Sequence, residues 1–374
     1  DQFTPENIPH RDEQIQQIAG ILAPALRLEK PSNIFLYGKT GTGKTVVCKY
    51  VTEQILETGN KKGIPLKIAY LNCKMKRIAD TEYRLIAQLC RIFGKEVPAT
   101  GLPTDEVYKS FIQSINKDNN LIILVLDEID QLVEKAGDGI LYNLTRMNSE
   151  LKNAQLSIIG ISNDLLFVDN LDPRIKSSLS EEELIFPPYN AIQLQDILRE
   201  RVKLAFRPGI VKNGVIEKCS AYAAREHGDA RRALELMRVA GEMAERKNEV
   251  EIGINHLDEA EEKIERDRIV DIITTQPKQS QITLYSIFSL NFDNKSLFTG
   301  DVYELYKKNC NKSSLKPLTQ RRVSDIIAEL DMLGIINAKV ISKGRYGRTR
   351  EISLAIPESN IKEVKEILID SLNL

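Results

Sequence analysis

An eight-residue run, Gly38-Lys39-Thr40-Gly41-Thr42-Gly43-Lys44-Thr45, follows directly on the apolar stretch Ile34 to Tyr37 and leads into a helical pattern. Few sequence features constrain a fold more tightly. The glycines let the backbone adopt conformations closed to other residues, so that its amides turn inward on phosphates at a helix N-terminus. Lys44 is then expected to reach the terminal phosphates and the Thr45 hydroxyl to complete the coordination of Mg2+. A glycine-rich loop can match such a pattern by chance, but chance does not also supply the strand before it and the helix after it. The expectation is a P-loop protein that binds ATP or ADP with Mg2+.

The surroundings extend this reading. Short apolar runs at Leu66 to Leu71, Leu121 to Leu126, Leu156 to Ile161 and Leu184 to Phe186 alternate with helical patterns. Runs of that length separated by helices suggest a parallel sheet buried on both faces, an α/β nucleotide-binding layout. The third run ends in Asp127-Glu128-Ile129-Asp130. Asp127 is expected to hold Mg2+ through water, and Glu128 to polarise the attacking water as general base. Two acids after a strand are also a natural helix start, where negative charge is favoured. Beside the phosphate loop, the ATPase reading carries more of the pattern.

After Pro187-Pro188 the pattern turns wholly helical, with Ile192 to Ala205, Gly214 to Glu226, Ala230 to Arg246 and Ile254 to Ile272. Gln276-Pro277-Lys278 marks a boundary, because proline disfavours helix in the residue before it. The expected domains are a base at 1–187, a helical lid with a linker helix at 188–275, and a carboxy-terminal domain at 276–374. The net charge of -1 hides an uneven split. From Arg268 onward there are 16 Lys plus Arg against 12 Asp plus Glu, so the basic excess lies at the end. Five scattered cysteines, none in a Cys-x-x-Cys pair, argue against a disulfide framework and a zinc site. No apolar run approaches the roughly 20 residues of a membrane span, and no basic leader is followed by an apolar segment. A soluble, cytoplasmic chain with no membrane partner is expected.

These motifs resemble the AAA+ ATPases, and within them the archaeal initiators related to the origin recognition complex and the cell-division-cycle helicase loader. Ile8-Pro9-His10-Arg11 is similar to that family's adenine-side segment, which implies nucleotide contacts for Pro9, His10 and Arg11. Gly160-Ile161-Ser162-Asn163 resembles the motif whose asparagine, here Asn163, senses the terminal phosphate; read from the residues alone, a polar residue after a strand is as well a helix cap. Leu171 to Leu179 is similar to the arginine-finger region, with Arg174 as the candidate finger; some relatives carry that arginine four residues on, where this chain has Ser178, and a surface arginine in a loop is the alternative. Gly228-Asp229-Ala230-Arg231-Arg232 resembles the lid motif whose arginine, Arg231, contacts phosphates, leaving Arg232 as a solvated helix charge. Tyr189 and Arg201 look like family positions near the nucleotide, though an aromatic beside a proline pair also suits joint packing. The two helical patterns between the second and third strands, Thr81 to Phe93 and Thr104 to Ile115, are similar to an extra initiator element. Its loop, including Thr100 and Gly101, is a candidate DNA contact; a long crossover with no partner is the alternative.

Near the end, Val323, Ile326, Ile327, Leu330 and Leu333 recur at helical spacing, with Thr319 placed to cap the start and Gly334 the end. A hairpin pattern follows, Ile336 to Ile341 and Glu351 to Ile356, around a tip holding Lys343, Arg345, Tyr346, Arg348 and Thr349. Three helices plus a two-stranded wing describe a winged helix, whose one helix enters the major groove while the wing follows the backbone. Arg321 and Arg322 would reach phosphates or guanine edges, and Lys343, Arg345, Arg348 and Arg350, with Tyr346 among them, would form the wing contact. Exposed charge on a soluble hairpin is the plainer alternative, but five basic residues against one acid from Lys339 to Glu351 is dense for that purpose.

The fold expected is thus α/β, a parallel-sheet AAA+ core with a helical lid and a winged helix. The resemblance implies a slow, switch-like ATPase that binds double-stranded origin DNA and recruits or loads the replicative helicase, with other initiator subunits as further partners, and it implies association with the nucleoid. A P-loop regulator with a winged-helix transcription module and a clamp-loader-like subunit are the alternatives.

Overall fold

The structure, a computed structural model, describes residues 7–74, 80–98, 100–116, 119–179, 182–290, 297–342, 348–372 and 374. The chain divides into two compact units, residues 1–257 and 258–374.

The first unit contains α1 (Asp12–Leu22), β1 (Ile34–Tyr37), α2 (Lys44–Lys61), β2 (Leu66–Asn72), α3 (Glu82–Ile92), α4 (Thr104–Ile115), β3 (Leu121–Asp127), α5 (Ile129–Ala136), α6 (Gly139–Arg146), β4 (Gln155–Ser162), α7 (Pro173–Leu179) and β5 (Glu182–Ile185). Then come α8 (Ala191–Ala205), α9 (Val215–Arg225) and α10 (Ala230–Arg246), and α11 (Ile254–Thr275) begins there and runs on into the second unit. The five strands pair in the order β2-β3-β4-β1-β5, and every pairing is parallel.

β3 is buried at every residue, which its unbroken apolar sequence requires of a central parallel strand. Alternate residues serve opposite faces. Leu121, Ile123 and Val125 join a core with Val47, Cys48 and Val51 of α2, whereas Ile122, Leu124 and Leu126 join one with α3, α4, α5 and α6. The strand order sets β4 between β1 and β3, so the phosphate loop after β1, the acids after β3 and the polar end of β4 open on one edge of the sheet. β5 starts earlier than its apolar residues suggest, because Glu182 and Glu183 pair with β1 while staying exposed on an edge strand.

The lid helices are held by local caps as well as burial. Asn190 and Gln193 form a reciprocal capping box at α8, and Asp229 accepts from the Arg231 and Arg232 amides at α10. Leu194, Leu198, Cys219, Ala233, Leu236 and Met237 are buried on them.

The second unit contains α12 (Lys278–Leu290), β6 (Leu297–Phe298), α13 (Thr299–Lys312), α14 (Gln320–Met332), β7 (Ile336–Ser342), β8 (Arg348–Leu354) and α15 (Glu358–Leu372). It is a winged helix with two additions to the expected plan. The hairpin gains a third short strand, in the antiparallel order β6-β8-β7, and α15 closes the unit by burying Val364, Leu368 and Leu372. The apolar face expected on α14 is the one buried, namely Val323, Ile326, Ile327 and Leu330. Thr319 caps its first turn, while Gly334 at φ 71 ends it, its amide bonded back to Asp331. Among the described residues all five cysteines are free and buried, and no helix is long and apolar enough to cross a membrane.

Phe111 of α4 is wholly buried and packs 5.9 Å from Phe93, ring centroid to centroid. Phe111→Ala is therefore expected to cost about 3–5 kcal/mol, more through the cavity than through the lost transfer energy. A urea titration followed by circular dichroism checks this as a shift of the first unit's midpoint to lower denaturant.

Candidate functional site

The phosphate loop turns out of β1 into α2, with Gly41 and Gly43 both left-handed at φ 69 and 91. A side chain at Gly41 would collide with the Asp229 carboxylate at 1.7 Å, and one at Gly43 would meet the Tyr189 hydroxyl at 2.8 Å. The loop can be this close to the lid only because it is bare. Lys44, the first residue of α2, points back into the loop and donates to the Gly38 and Lys39 carbonyls at 2.7 and 2.8 Å. The Thr42 hydroxyl donates to the Lys39 carbonyl at 2.8 Å. Lys39 lies 3.4 Å from His227 of the lid, and Thr40 is exposed. Burial drags the Lys44 pKa down to about 8, against the opposing pull of Asp127, while Arg231 adds to the depression.

Asp127 ends β3 at 4% exposure. Its Oδ2 accepts from the Thr45 hydroxyl at 3.0 Å and from the Tyr70 hydroxyl; its Oδ1 accepts from the Glu128 amide at 3.0 Å. A hydroxyl and a carboxylate side by side are hard oxygen donors of the kind a small divalent cation accepts, with phosphate and water completing its shell. Among the described residues there is no cluster of three or more His, Cys, Asp or Glu that could hold a metal ion. Glu128 sits in a left-handed conformation at φ 56, and its Oε2 is buried with no hydrogen bond from the described residues. A backbone strained at a non-glycine position together with an unsatisfied carboxylate oxygen marks a group held ready for something other than stability. Asn163 follows β4, its amide 3.4 Å from Asp130 Oδ1, which also accepts from the Ser162 hydroxyl at 2.9 Å. Asp130 thereby fixes the segment that carries Asn163.

Arg11 joins three pieces of chain. At 2% exposure it donates to the Thr42 carbonyl at 2.9 Å and the Pro187 carbonyl at 2.5 Å, and its guanidinium lies 3.9 Å from the centroid of the Tyr189 ring. Burial lowers the Arg11 pKa and raises that of Tyr189. His10, itself left-handed, contacts Asp196 of α8 at 3.0 Å, while Pro9 is half-buried beside it. The Ala230 amide donates to the Gly41 carbonyl at 3.2 Å. Loop, opening segment and lid therefore meet directly. Gly228 at φ 67 permits this, since a side chain there would strike the Tyr189 carbonyl at 2.2 Å.

Of the remaining expected residues, Arg231 is exposed at the head of α10, near enough to depress Lys44. Arg232 departs from the solvated charge expected of it, because its Nε is bonded to Glu226 at 2.9 Å and its side chain is only 12% exposed. Arg201 is half-buried on α8, and Arg174 is exposed on α7 with its amide bonded to Asp172. Thr100 and Gly101 are exposed between α3 and α4. Tyr70, Asp130 and Asp229 were not singled out as site residues by the sequence, although the last two lie inside motifs that were.

In the second unit Arg321 and Arg322 are exposed in the first turn of α14. Arg322 lies 3.9 and 3.7 Å from Asp325 and Glu329, surface pairs that hold it weakly. A cavity of about 430 Å³ opens between α14 and the wing, lined by Thr299, Gln320, Arg321, Ser324, Val340 and Arg350. Arg350 is not free wing charge: one guanidinium nitrogen donates to the Ser324 carbonyl at 2.6 Å, tying β8 to α14. Lys343, Arg345 and Tyr346 lie outside the described residues, as does the side chain of Arg348.

The depressed Lys44 gives ATP affinity a defined pH dependence. Phosphate binding favours the charged ammonium, so affinity is expected to be level well below about pH 8, where Lys44 is protonated in the free protein as well. Above it the free protein must take up a proton to bind, and affinity is expected to fall by up to about tenfold per pH unit. Isothermal titration with ATP between pH 6.5 and 9.5 checks this, and a flat profile across that range would contradict it.

Three family descriptions match in chain order: "AAA domain" over residues 27–167, "Cdc6 AAA+ ATPase-type lid domain" over 195–262, and "CDC6, C terminal winged helix domain" over 271–364. The chain is 55% identical over 368 residues to an ORC1-type DNA replication protein of Pyrococcus furiosus, covering 97% of this chain and 87% of that one. It is 51% identical over 365 residues to ORC1-type DNA replication protein 1 of Methanosarcina acetivorans, with the same coverage. The solved structure of the Aeropyrum pernix ORC1 protein in complex with DNA matches at a TM-score of 0.85 and 44% identity, over 98% of this chain and 94% of that one. Phosphate loop, lid and winged helix are thus matched in sequence and in space, and the chain belongs to the family of ORC1-type DNA replication proteins.

Proposed function

We propose that this chain is a replication initiator that grips double-stranded origin DNA and uses ATP binding and slow hydrolysis as a switch for recruiting or loading the replicative helicase. The observation that carries the switch is the seating of the lid on the phosphate loop, Ala230 bonded to Gly41 and Asp229 packed against it. A nucleotide in that loop cannot leave the lid contact unaffected. Three segments divide the work: a base at 1–187, a lid with its linker helix at 188–275, and a winged helix at 276–374. The DNA complex of the Aeropyrum pernix relative supports the DNA reading.

Within the site, the backbone from Gly38 to Gly43, including Lys39, Thr40 and Thr42, wraps the phosphates, and Lys44 and Arg231 supply positive charge. Thr45 and Asp127 fit Mg2+, which when bound neutralises phosphate charge. Glu128 takes the proton of the attacking water, and Asn163 orients that water beside the terminal phosphate. Pro9, His10, Arg11, Tyr189 and Arg201 line the nucleotide side of the base-to-lid joint. Arg174, exposed on α7, reaches the nucleotide of a neighbouring initiator subunit. On the DNA side, Arg321 and Arg322 enter the groove while Lys343, Arg345, Tyr346 and Arg348 follow the backbone; Arg350 braces the wing, and Thr100 and Gly101 form a second contact. The winged helix stands where a clamp-loader subunit would carry a helical collar, which disfavours that alternative.

Glu128→Gln is expected to keep ATP binding and to lower hydrolysis at least about a hundredfold. Phosphate release measured beside equilibrium binding checks it, and hydrolysis at the parental rate would remove the base assignment. For DNA, alanine at Arg321 or Arg322 is expected to cost roughly 1–3 kcal/mol on origin fragments and little on random sequence. Removing Lys343, Arg345 and Arg348 is expected to weaken both alike and to flatten the salt dependence by about 0.9 log unit per lost contact. Titrations of both DNAs at several salt concentrations decide it. Equal losses on origin and random DNA for the helix variants would make those arginines phosphate clamps.

A further inference from the structure

The parallel register sets Tyr70 opposite Val125 and Asn72 opposite Asp127, so the Tyr70 ring and the Asp127 carboxylate leave the sheet on the same face. That face is covered by α2. Thr45 and Lys49, one helical turn apart, converge on the same spot from above. The Thr45 hydroxyl donates to Asp127 Oδ2 at 3.0 Å, and the Lys49 ammonium lies 4.5 Å from the centroid of the Tyr70 ring. The Tyr70 hydroxyl donates to that same Oδ2. With the Glu128 amide on Oδ1, donors from β2, α2 and the head of α5 hold both carboxylate oxygens.

Two of these donors belong to the nucleotide site on any account, Thr45 as a phosphate-loop residue and the Glu128 amide as backbone. Tyr70 does not. It stands two residues before the end of β2, and its ring packs with the apolar core under α2. Phenylalanine would serve that packing equally well.

We propose that Tyr70 is a positioning residue for the cation-binding carboxylate: its hydroxyl turns Asp127 Oδ2 toward Thr45, setting the oxygen pair before nucleotide and metal arrive. The proposal rests on the reading of Thr45 and Asp127 as the Mg2+ pair. A carboxylate at a strand end can rotate about its last bond, and a charge-assisted bond from a ring locked between the sheet and Lys49 removes that freedom. Outer partners of metal-binding groups commonly change metal affinity by about ten- to a hundredfold.

The test is Tyr70→Phe in the full chain, with ATP affinity measured calorimetrically in excess magnesium chloride and again in EDTA. The ratio of the two affinities reports the metal-dependent part of binding and is expected to fall about tenfold, with the magnesium concentration at half-effect rising correspondingly. An unchanged ratio overturns the proposal. A lowered melting temperature of the metal-free variant with an unchanged ratio assigns the hydroxyl to packing alone and also overturns it. Asp127→Asn separates this from the reading beneath it. If Asp127→Asn collapses the ratio and Tyr70→Phe leaves it unmoved, only the role of Tyr70 falls. If the parental protein binds ATP equally with and without magnesium, both fall.

Discussion

Lys44 is a cation enclosed at 4% exposure and, among the described residues, hydrogen-bonded to two carbonyls of its own loop, which is a costly place for a charge. The rest of the first unit is arranged to make that placement tolerable. Asp127 at the end of β3, Asp130 in the first turn of α5 and Asp229 at the head of α10 all raise its affinity for a proton. They fall short of compensating burial, and the ammonium stays depressed. A buried ammonium short of negative charge favours an anionic ligand such as a polyphosphate, which is the chemistry expected of this loop. Because every strand runs parallel, the loop after β1, the acids after β3 and Asn163 after β4 lie at one edge of the sheet, and the order sets β4 between the other two.

The lid takes part in this balance and does more than cover the site. Asp229 spends one oxygen capping α10 and rests that carboxylate against Gly41, so a helix cap and a loop contact are the same group. Arg11 performs a parallel double task between the Thr42 and Pro187 carbonyls, stacked on Tyr189. Single residues thus connect the loop to the start of α10 and to the segment after β5. A connection of this kind needs no long pathway.

How far the sequence reveals this depends on whether a role is written in local pattern or in register. The phosphate loop, the buried strands, the α14 face and its two caps are all set by neighbours in the chain, and each is legible from spacing. The same rule exposes an avoidable gap: Ile361, Val364, Leu368 and Leu372 fall at helical spacing, so α15 is legible, yet the alternating strand before it draws the reading toward a chain-terminal hairpin. β6, two residues long, has no periodicity to read. Tyr70 looks like any strand aromatic, because its partner is 57 positions away and only the β2-β3 register brings them together. Arg232 looks solvated for a different reason: its Glu226 partner is close in sequence, but the turn before α10 lies between them and helical periodicity does not pair them.

The second unit applies the same economy to a different surface. Arg321 and Arg322 occupy the first turn of α14, where cations gain nothing from the helix dipole and sit against its positive end. Stability alone would place acids there, as it does at Asp12 and Glu13 of α1. Two arginines at that position, answered only by exposed Asp325 and Glu329 at nearly 4 Å, are tolerated against the local preference. Arg350 shows the contrast, since an arginine needed for the fold finds a carbonyl at 2.6 Å and is drawn in against α14. Among the described residues the pair at the head of the helix has no such buried anchor, and exposed positive charge kept there against the helix dipole is in keeping with the proposal that this surface meets a polyanion.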